Sequence, residues 1–151
     1  MNIRQKKATR EYSFLFIYHF LNSGEIFKDN LDELILRFNT SYNEDDEEKK
    51  TPKLSKVNTE LSKLLISSCL VNKSEYTNLI QDCLNKKQFN KLNLIEQSLL
   101  LLATTELLTV EDTPSTVIIS EYMKHAEKYA TENSSKFLNG VIDAIIRKQS
   151  K

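Results

Sequence analysis

The sequence predicts an all-α fold, and three observations carry that prediction. Glycine and proline occur only twice each in 151 residues, whereas a sheet protein needs turn residues roughly every ten positions. Apolar residues recur at three- and four-residue spacing through most of the chain. Leucine, lysine and glutamate, all good helix formers, are plentiful. At this length the simplest organisation is one domain, residues 1–151, large enough to bury a real core. About seven short helices are expected.

Residues 3–22 form the first of these, with Ala8, Tyr12, Leu15, Phe16 and His19 on one side and Phe20 close by. Gly24 is a natural C-terminal stop. Residues 29–39 form the second, capped by Asp29 or Asn30. The polar stretch "NTSYNEDDEEKKTPKLSK", around 40–55, breaks the periodicity and reads as a mobile surface loop. It is not a domain boundary, because each flank is too small to fold alone. Helices follow at 56–73 and 74–87, then at 93–109, the most apolar segment. Asn93 with Glu96 three residues later resembles a capping box. A helix apolar on most sides is normally central to a bundle. Residues 115–131 follow Pro114, and 134–149, with Ser134 as cap, complete the set.

Formal net charge is zero, so composition alone does not mark a nucleic-acid binder. The distribution is uneven. Arg4, Lys6, Lys7 and Arg10 face only Glu11 near the N-terminus, and Glu44–Glu48 form a compact acidic run. That run reads as a solvated loop, or as a charge-repulsive guard beside an RNA surface. Cys69 and Cys83 have no CxxC spacing and read as reduced thiols of a cytosolic protein, the alternative that spacing leaves open being a disulfide between them. "FLFIYHFL" after a basic stretch resembles a signal peptide superficially, but Tyr18 and His19 interrupt it and no small-x-small cleavage site follows. "LLLLA" is too short to cross a bilayer. A cytoplasmic protein with no membrane segment is expected.

No catalytic constellation is present. His19 and His125 lie on separate helices, and no nucleophile-elbow, zinc-protease or phosphate-loop pattern occurs. No catalytic residue, metal site or cofactor is expected, and the chain does not read as an enzyme. The positive signs are two. Lys6 and Arg10 project together on a helix with Lys7 beside them, a pattern suited to phosphates with bases stacked on nearby aromatics. In "NSSKFLNGV", Lys136 falls early in a helix, where a cation is mildly unfavourable and so suggests a phosphate partner. Gly140, inside the last helix, costs roughly 1 kcal/mol against alanine, which asks for a reason.

"STVIISEYMKHAEKYATENSSKFLNGVIDAIIRK" resembles the C-terminal signature of the NusB transcription-antitermination family. Ser134, Lys136, Phe137, Leu138, Asn139, Gly140, Val141 and Ile142 match its Ser-x-Lys-Phe-[Val/Leu]-Asn-Gly-[Val/Ile]-[Leu/Ile] pattern. "ATTELL", Pro114 and Glu121 match landmarks upstream, and "KKATREYSFLFIY" resembles the family's basic first helix. The resemblance is most specific at 113–147 and poor at 40–90.

It implies two small helical bundles packed together, with Gly140 permitting a close helix crossing. It implies binding of single-stranded boxA RNA together with the ribosomal protein NusE, within an RNA polymerase antitermination complex. Read-through would be supported notably in ribosomal RNA operons. Lys6, Lys7, Arg10, Tyr18, Lys136 and Phe137 would contact RNA, with Tyr129 and Asn133 nearby, and Glu96 would meet the protein partner. A homodimer is also compatible with the family. The chain departs from the family pattern at Lys6 and Lys7, where arginine is favoured, at Asn133, where an acidic residue is common, and at Ser120, Asn90 and Lys91. Lysine keeps phosphate attraction but lacks arginine's bidentate fork. The alternative readings are a NusB-like adaptor that has lost RNA binding, and an accessory domain detached from an RNA methyltransferase.

Overall fold

The computed structural model describes residues 1–42 and 50–149. The acidic run Glu44–Glu48, and with it most of the loop expected at 40–55, lies outside the described residues. Among those described there are seven α-helices and no strand: α1 (Ile3–Ser23), α2 (Leu31–Ser41), α3 (Thr59–Val71), α4 (Lys73–Gln81), α5 (Leu94–Thr109), α6 (Ser115–Tyr129) and α7 (Glu132–Gln149). Short 3-10 turns occupy Leu54–Lys56 and Phe89–Lys91. The chain divides into two compact units, Met1–Val71 and Asn72–Lys151.

In the first unit α1 packs on α3. Tyr12, Phe16 and Phe20 are buried as expected, but Leu15 is only half-buried and His19 is exposed. The buried arc is wider than the apolar pattern and includes Thr9, Arg10 and Ser13. Thr9 and Ser13 fit there because their hydroxyls donate to carbonyls one turn back, at 2.6 and 2.7 Å. Phe38 of α2 is the hub of an aromatic cluster, with ring centroids of Tyr12, Phe16 and Tyr42 at 5.2–5.5 Å. The Tyr12 hydroxyl donates to Asn39 Oδ1 at 2.6 Å. Gly24 ends α1 in the left-handed region, φ +72°, where only glycine is unstrained. Asn30 precedes α2 without a capping side-chain bond.

Helix starts and stops moved where polar side chains captured backbone groups. The helix expected from 56 begins at Thr59, because the Asn58 carboxamide accepts from the Leu61 amide at 2.8 Å. The helix expected to reach 87 ends at Gln81, and Asn85 lies at φ +54° beyond it. Ser134 is not the cap of α7, which starts two residues earlier with the Thr131 hydroxyl accepting from the Ser134 amide at 3.1 Å.

The second unit is organised around α5, which contacts α4, α6 and α7. Ser98 through Glu106 are all buried, so the helix has no solvent face over this stretch. Asn93 and Glu96 make the expected capping box. Ile118, Tyr122, Leu138, Val141 and Ile142 pack the surrounding helices, each at most 5% exposed. Both cysteines are free thiols, Cys69 buried and Cys83 half-buried. Among the described residues, no helix is long and apolar enough to cross a membrane.

Gly140 does not mark a close helix crossing. It is exposed, and a Cβ built there meets nothing within 4 Å. The helical period at 137–146 is satisfied by Leu138, Val141, Ile142 and Ile145, which leave position 140 on the outer side. Gly140→Ala should therefore raise stability by about 1 kcal/mol, read as a higher thermal midpoint; a lower midpoint would restore the crowded crossing. A second expectation concerns Tyr12, whose hydroxyl is pushed up to about 12 by burial. The folded state keeps that proton while the unfolded chain loses it near pH 10. The stability it contributes is thus complete below pH 10 and is lost between about 10 and 12, on the order of 2–3 kcal/mol. Denaturation midpoints across that range, compared with Tyr12→Phe, should show a steeper fall for the native chain.

Candidate nucleic-acid interface

Two groups of candidate residues emerge, one in each unit. On α1, Lys6, Lys7 and Tyr18 are half-buried. Lys7 and Tyr18 are three turns apart, about 16 Å along the axis, and share a face. An ammonium and an aromatic ring so placed suit a phosphate and a stacked base of one strand. Arg10 does not belong to this surface. It is 4% exposed, within the buried arc formed with Thr9, Tyr12, Ser13 and Phe14. Lys6 and Lys7 are therefore more accessible than Arg10 on this part of the helix.

In the second unit the turn between α6 and α7 gathers the others. Only Ala130 and Thr131 separate Tyr129, the last residue of α6, from Glu132, the first of α7. Tyr129 is half-buried, with Lys128 Nζ 5.3 Å from its ring centroid. Asn133 and Lys136 are exposed, and Phe137 is half-buried. Because α7 starts earlier than expected, Lys136 lies in its second turn, where the dipole penalty has faded. Its ammonium faces Glu132 at 3.8 Å, a pair so exposed that it holds little energy. Glu127, Glu132 and Ser135 line a shallow pocket with Lys136. Positive charge at this turn is thus partly offset, and the apolar ring of Phe137 is its more distinctive feature.

That ring has a partner that the sequence did not disclose. Lys87 Nζ sits 4.1 Å from the Phe137 centroid, close enough for a cation–π contact. Lys86 and Lys87 are both exposed in the turn after α4. The doublet was visible in the sequence, but its approach to a ring fifty residues on was not.

The half-buried Glu96 carboxylate is engaged within the chain. One carboxylate oxygen accepts from the Asn93 amide at 3.4 Å, and the other accepts from the Ser134 hydroxyl at 2.8 Å. Asn93 Oδ1 accepts from the Glu96 amide at 2.8 Å. The start of α5 is thereby tied to the first turn of α7, just before Lys136 and Phe137. Gly140 lies one turn beyond Phe137 on the exposed side and adds no side chain there. Among the described residues, no cluster of His, Cys, Asp or Glu could hold a metal ion.

The sequence profile of the NusB family matches residues 7–147. The transcription antitermination protein NusB of Vibrio cholerae is 31% identical over 147 residues, covering 95% of this chain and 94% of that protein. That of Pseudothermotoga lettingae is 46% identical over 65 residues, 43% of this chain; there the chain spans about half the length of its relative, 46%. Among solved structures, Thermotoga maritima NusB is 29% identical with a TM-score of 0.70, covering 97% of this chain and 92% of that one. A complex of antitermination factors NusB and NusE with double-stranded RNA contains a chain with a TM-score of 0.73 and 22% identity, covering 97% of this chain and 99% of its own.

The Glu96–Ser134 bond sets a prediction. Glu96→Ala and Ser134→Ala should each destabilise the fold by about 1–3 kcal/mol, with Glu96→Ala the more severe because it also breaks the capping box. The double variant should lose less than the sum. Additive losses in chemical denaturation would show that the bond contributes nothing.

Proposed function

Because this chain belongs to the NusB family, we propose that it is a transcription antitermination factor that binds single-stranded boxA RNA together with the ribosomal protein NusE. Within an RNA polymerase complex it supports read-through, notably in ribosomal RNA operons. The observation that carries this reading is the family match across residues 7–147, which includes Lys7, Tyr18 and the whole turn from Tyr129 to Phe137. A NusB relative has been crystallised with NusE and RNA, and its fold is shared.

The chemistry fits that role. Lys6 and Lys7 neutralise phosphates, while Tyr18 and Phe137 offer ring faces to bases. Lys87 already lies against Phe137, so an arriving base takes the ring's remaining surface or displaces the ammonium toward a phosphate. Few cations, a net charge of zero and carboxylates beside Lys136 make for weak attraction to RNA. A second protein extending the surface then raises affinity, the part assigned to NusE. Its docking region is proposed around the start of α5, where Asn90, Lys91 and Asn93 are exposed. Glu96 acts there by holding the helix start, since both carboxylate oxygens are engaged within the chain.

Fluorescence anisotropy with a boxA oligonucleotide tests the reading. Lys6→Ala with Lys136→Ala should reduce the salt-dependence slope by about 1.4, two single-strand phosphate contacts. Phe137→Leu should lower affinity at unchanged helicity. Native protein that ignores boxA with and without NusE would contradict the reading, as would variants that bind with native affinity and slope.

A further inference from the structure

The first unit contains a cationic cleft that joins the basic start of α1 to a second segment, which neither the sequence motifs nor the family pattern single out. Two segments distant in sequence build it: the start of α1, with Asn2, Arg4, Gln5 and Ala8, and the stretch Pro52, Lys53, Ser55 and Lys56. Its volume is about 510 Å³. The second wall is pinned at both ends. The Tyr42 hydroxyl donates to the Pro52 carbonyl at 2.6 Å, and the Asn58 amide donates to the buried Thr9 hydroxyl at 2.9 Å. Between these anchors Lys53 and the 3-10 turn Leu54–Lys56, which carries Lys56, lie beside α1.

The charge of this cleft is one-sided. Arg4, Lys53 and Lys56 are exposed, and among the described residues no carboxylate lines the cleft. Ion pairs elsewhere in the unit, such as Arg37 with Glu25 at 2.7 Å, show that its surface cations do find acids where acids are near. The remaining lining groups are small or polar, with no aromatic ring to stack on a base and no deep apolar recess to anchor a peptide side chain.

We propose that this cleft is a second, sequence-independent phosphate site that holds RNA flanking the boxA element; the proposal rests on the RNA reading above. Arg4 precedes Lys6 and Lys7 on the same helix, so a strand engaged by those lysines reaches the cleft along α1. Lysine and arginine without stacking partners read the backbone and not the bases. Contacts in the cleft therefore add affinity and salt dependence without adding sequence preference.

The test compares two RNAs in anisotropy titrations across salt concentrations: a minimal boxA oligonucleotide, and the same element with arbitrary nucleotides on both sides. Native protein should bind the flanked RNA more tightly and with a steeper salt slope, whatever the flanking sequence. Lys53→Ala with Lys56→Ala, two exposed positions, should abolish that advantage and leave the minimal RNA unaffected. The slope for flanked RNA should fall by about 1.4, which makes its affinity loss between 50 and 200 mM salt about sevenfold smaller. Lys53→Arg with Lys56→Arg should retain the advantage, which separates charge from shape. The proposal is overturned if flanks give the native chain no advantage, if the alanine variant keeps it, or if that variant loses NusE in place of flanking RNA. Native protein that binds neither RNA overturns the RNA reading and this inference together; normal minimal binding with no flank effect overturns this inference alone.

Discussion

Nine successive buried residues, Ser98 to Glu106, impose the main constraint on the second unit. A helix with no water face must be enclosed, and α4, α6 and α7 contact it. Burial of this kind leaves no tolerance for stray polar groups. Accordingly, Ser98, Thr104 and Thr105 return their hydroxyls to carbonyls one turn back, at 2.6–2.7 Å. Glu106 accepts from the Tyr122 hydroxyl at 2.9 Å, joining α5 to α6. Truncating one central leucine would open a cavity costing about 2–5 kcal/mol, a large part of a typical domain's stability.

The candidate RNA surface of this unit depends on that enclosed helix through its N-terminal end. Where α5 emerges, Asn93 and Glu96 close the capping box, and the spare carboxylate oxygen of Glu96 takes the Ser134 hydroxyl. The first turns of α7 are thus fixed from beneath by Glu96 and by buried Leu138 and Val141. Phe137, Lys136 and Asn133 remain on the outside. A binding ring on a rigid helix is held in its orientation before a ligand arrives, which lowers the entropy lost on binding. In the first unit the Phe38 aromatic cluster has the comparable task of setting α1 and the Tyr42–Pro52 anchor.

Much of this was legible in the sequence, for identifiable reasons. The helical class followed from turn-residue scarcity, and the central place of α5 from an apolar pattern with no polar stripe. The Asn93–Glu96 box and the Gly24 stop are local signals, complete within four residues. What failed was information carried by other segments. Arg10 looked like a surface cation because its helical neighbour Lys6 is one, yet the buried arc of α1 extends to it. Gly140 suggested a crowded crossing, but its surroundings are open. Ser134 looked like a cap, but Thr131 took that role and freed its hydroxyl for Glu96. The contact of Lys87 with Phe137 and the cleft of Arg4, Lys53 and Lys56 join residues from separate segments, and no spacing rule announces them.

In the proposed reading, α1 and the α6–α7 turn each present RNA contacts held by the helices packed beneath them within their own unit. Backbone amide NMR of the native chain, titrated with boxA RNA, addresses it directly. The account predicts shifts at Lys6, Lys7 and Tyr18, and from Tyr129 through Phe137, while the amides of Leu99 to Leu102 stay in place. Shifts confined to one of the two regions, or spread through the α5 leucines, would contradict it.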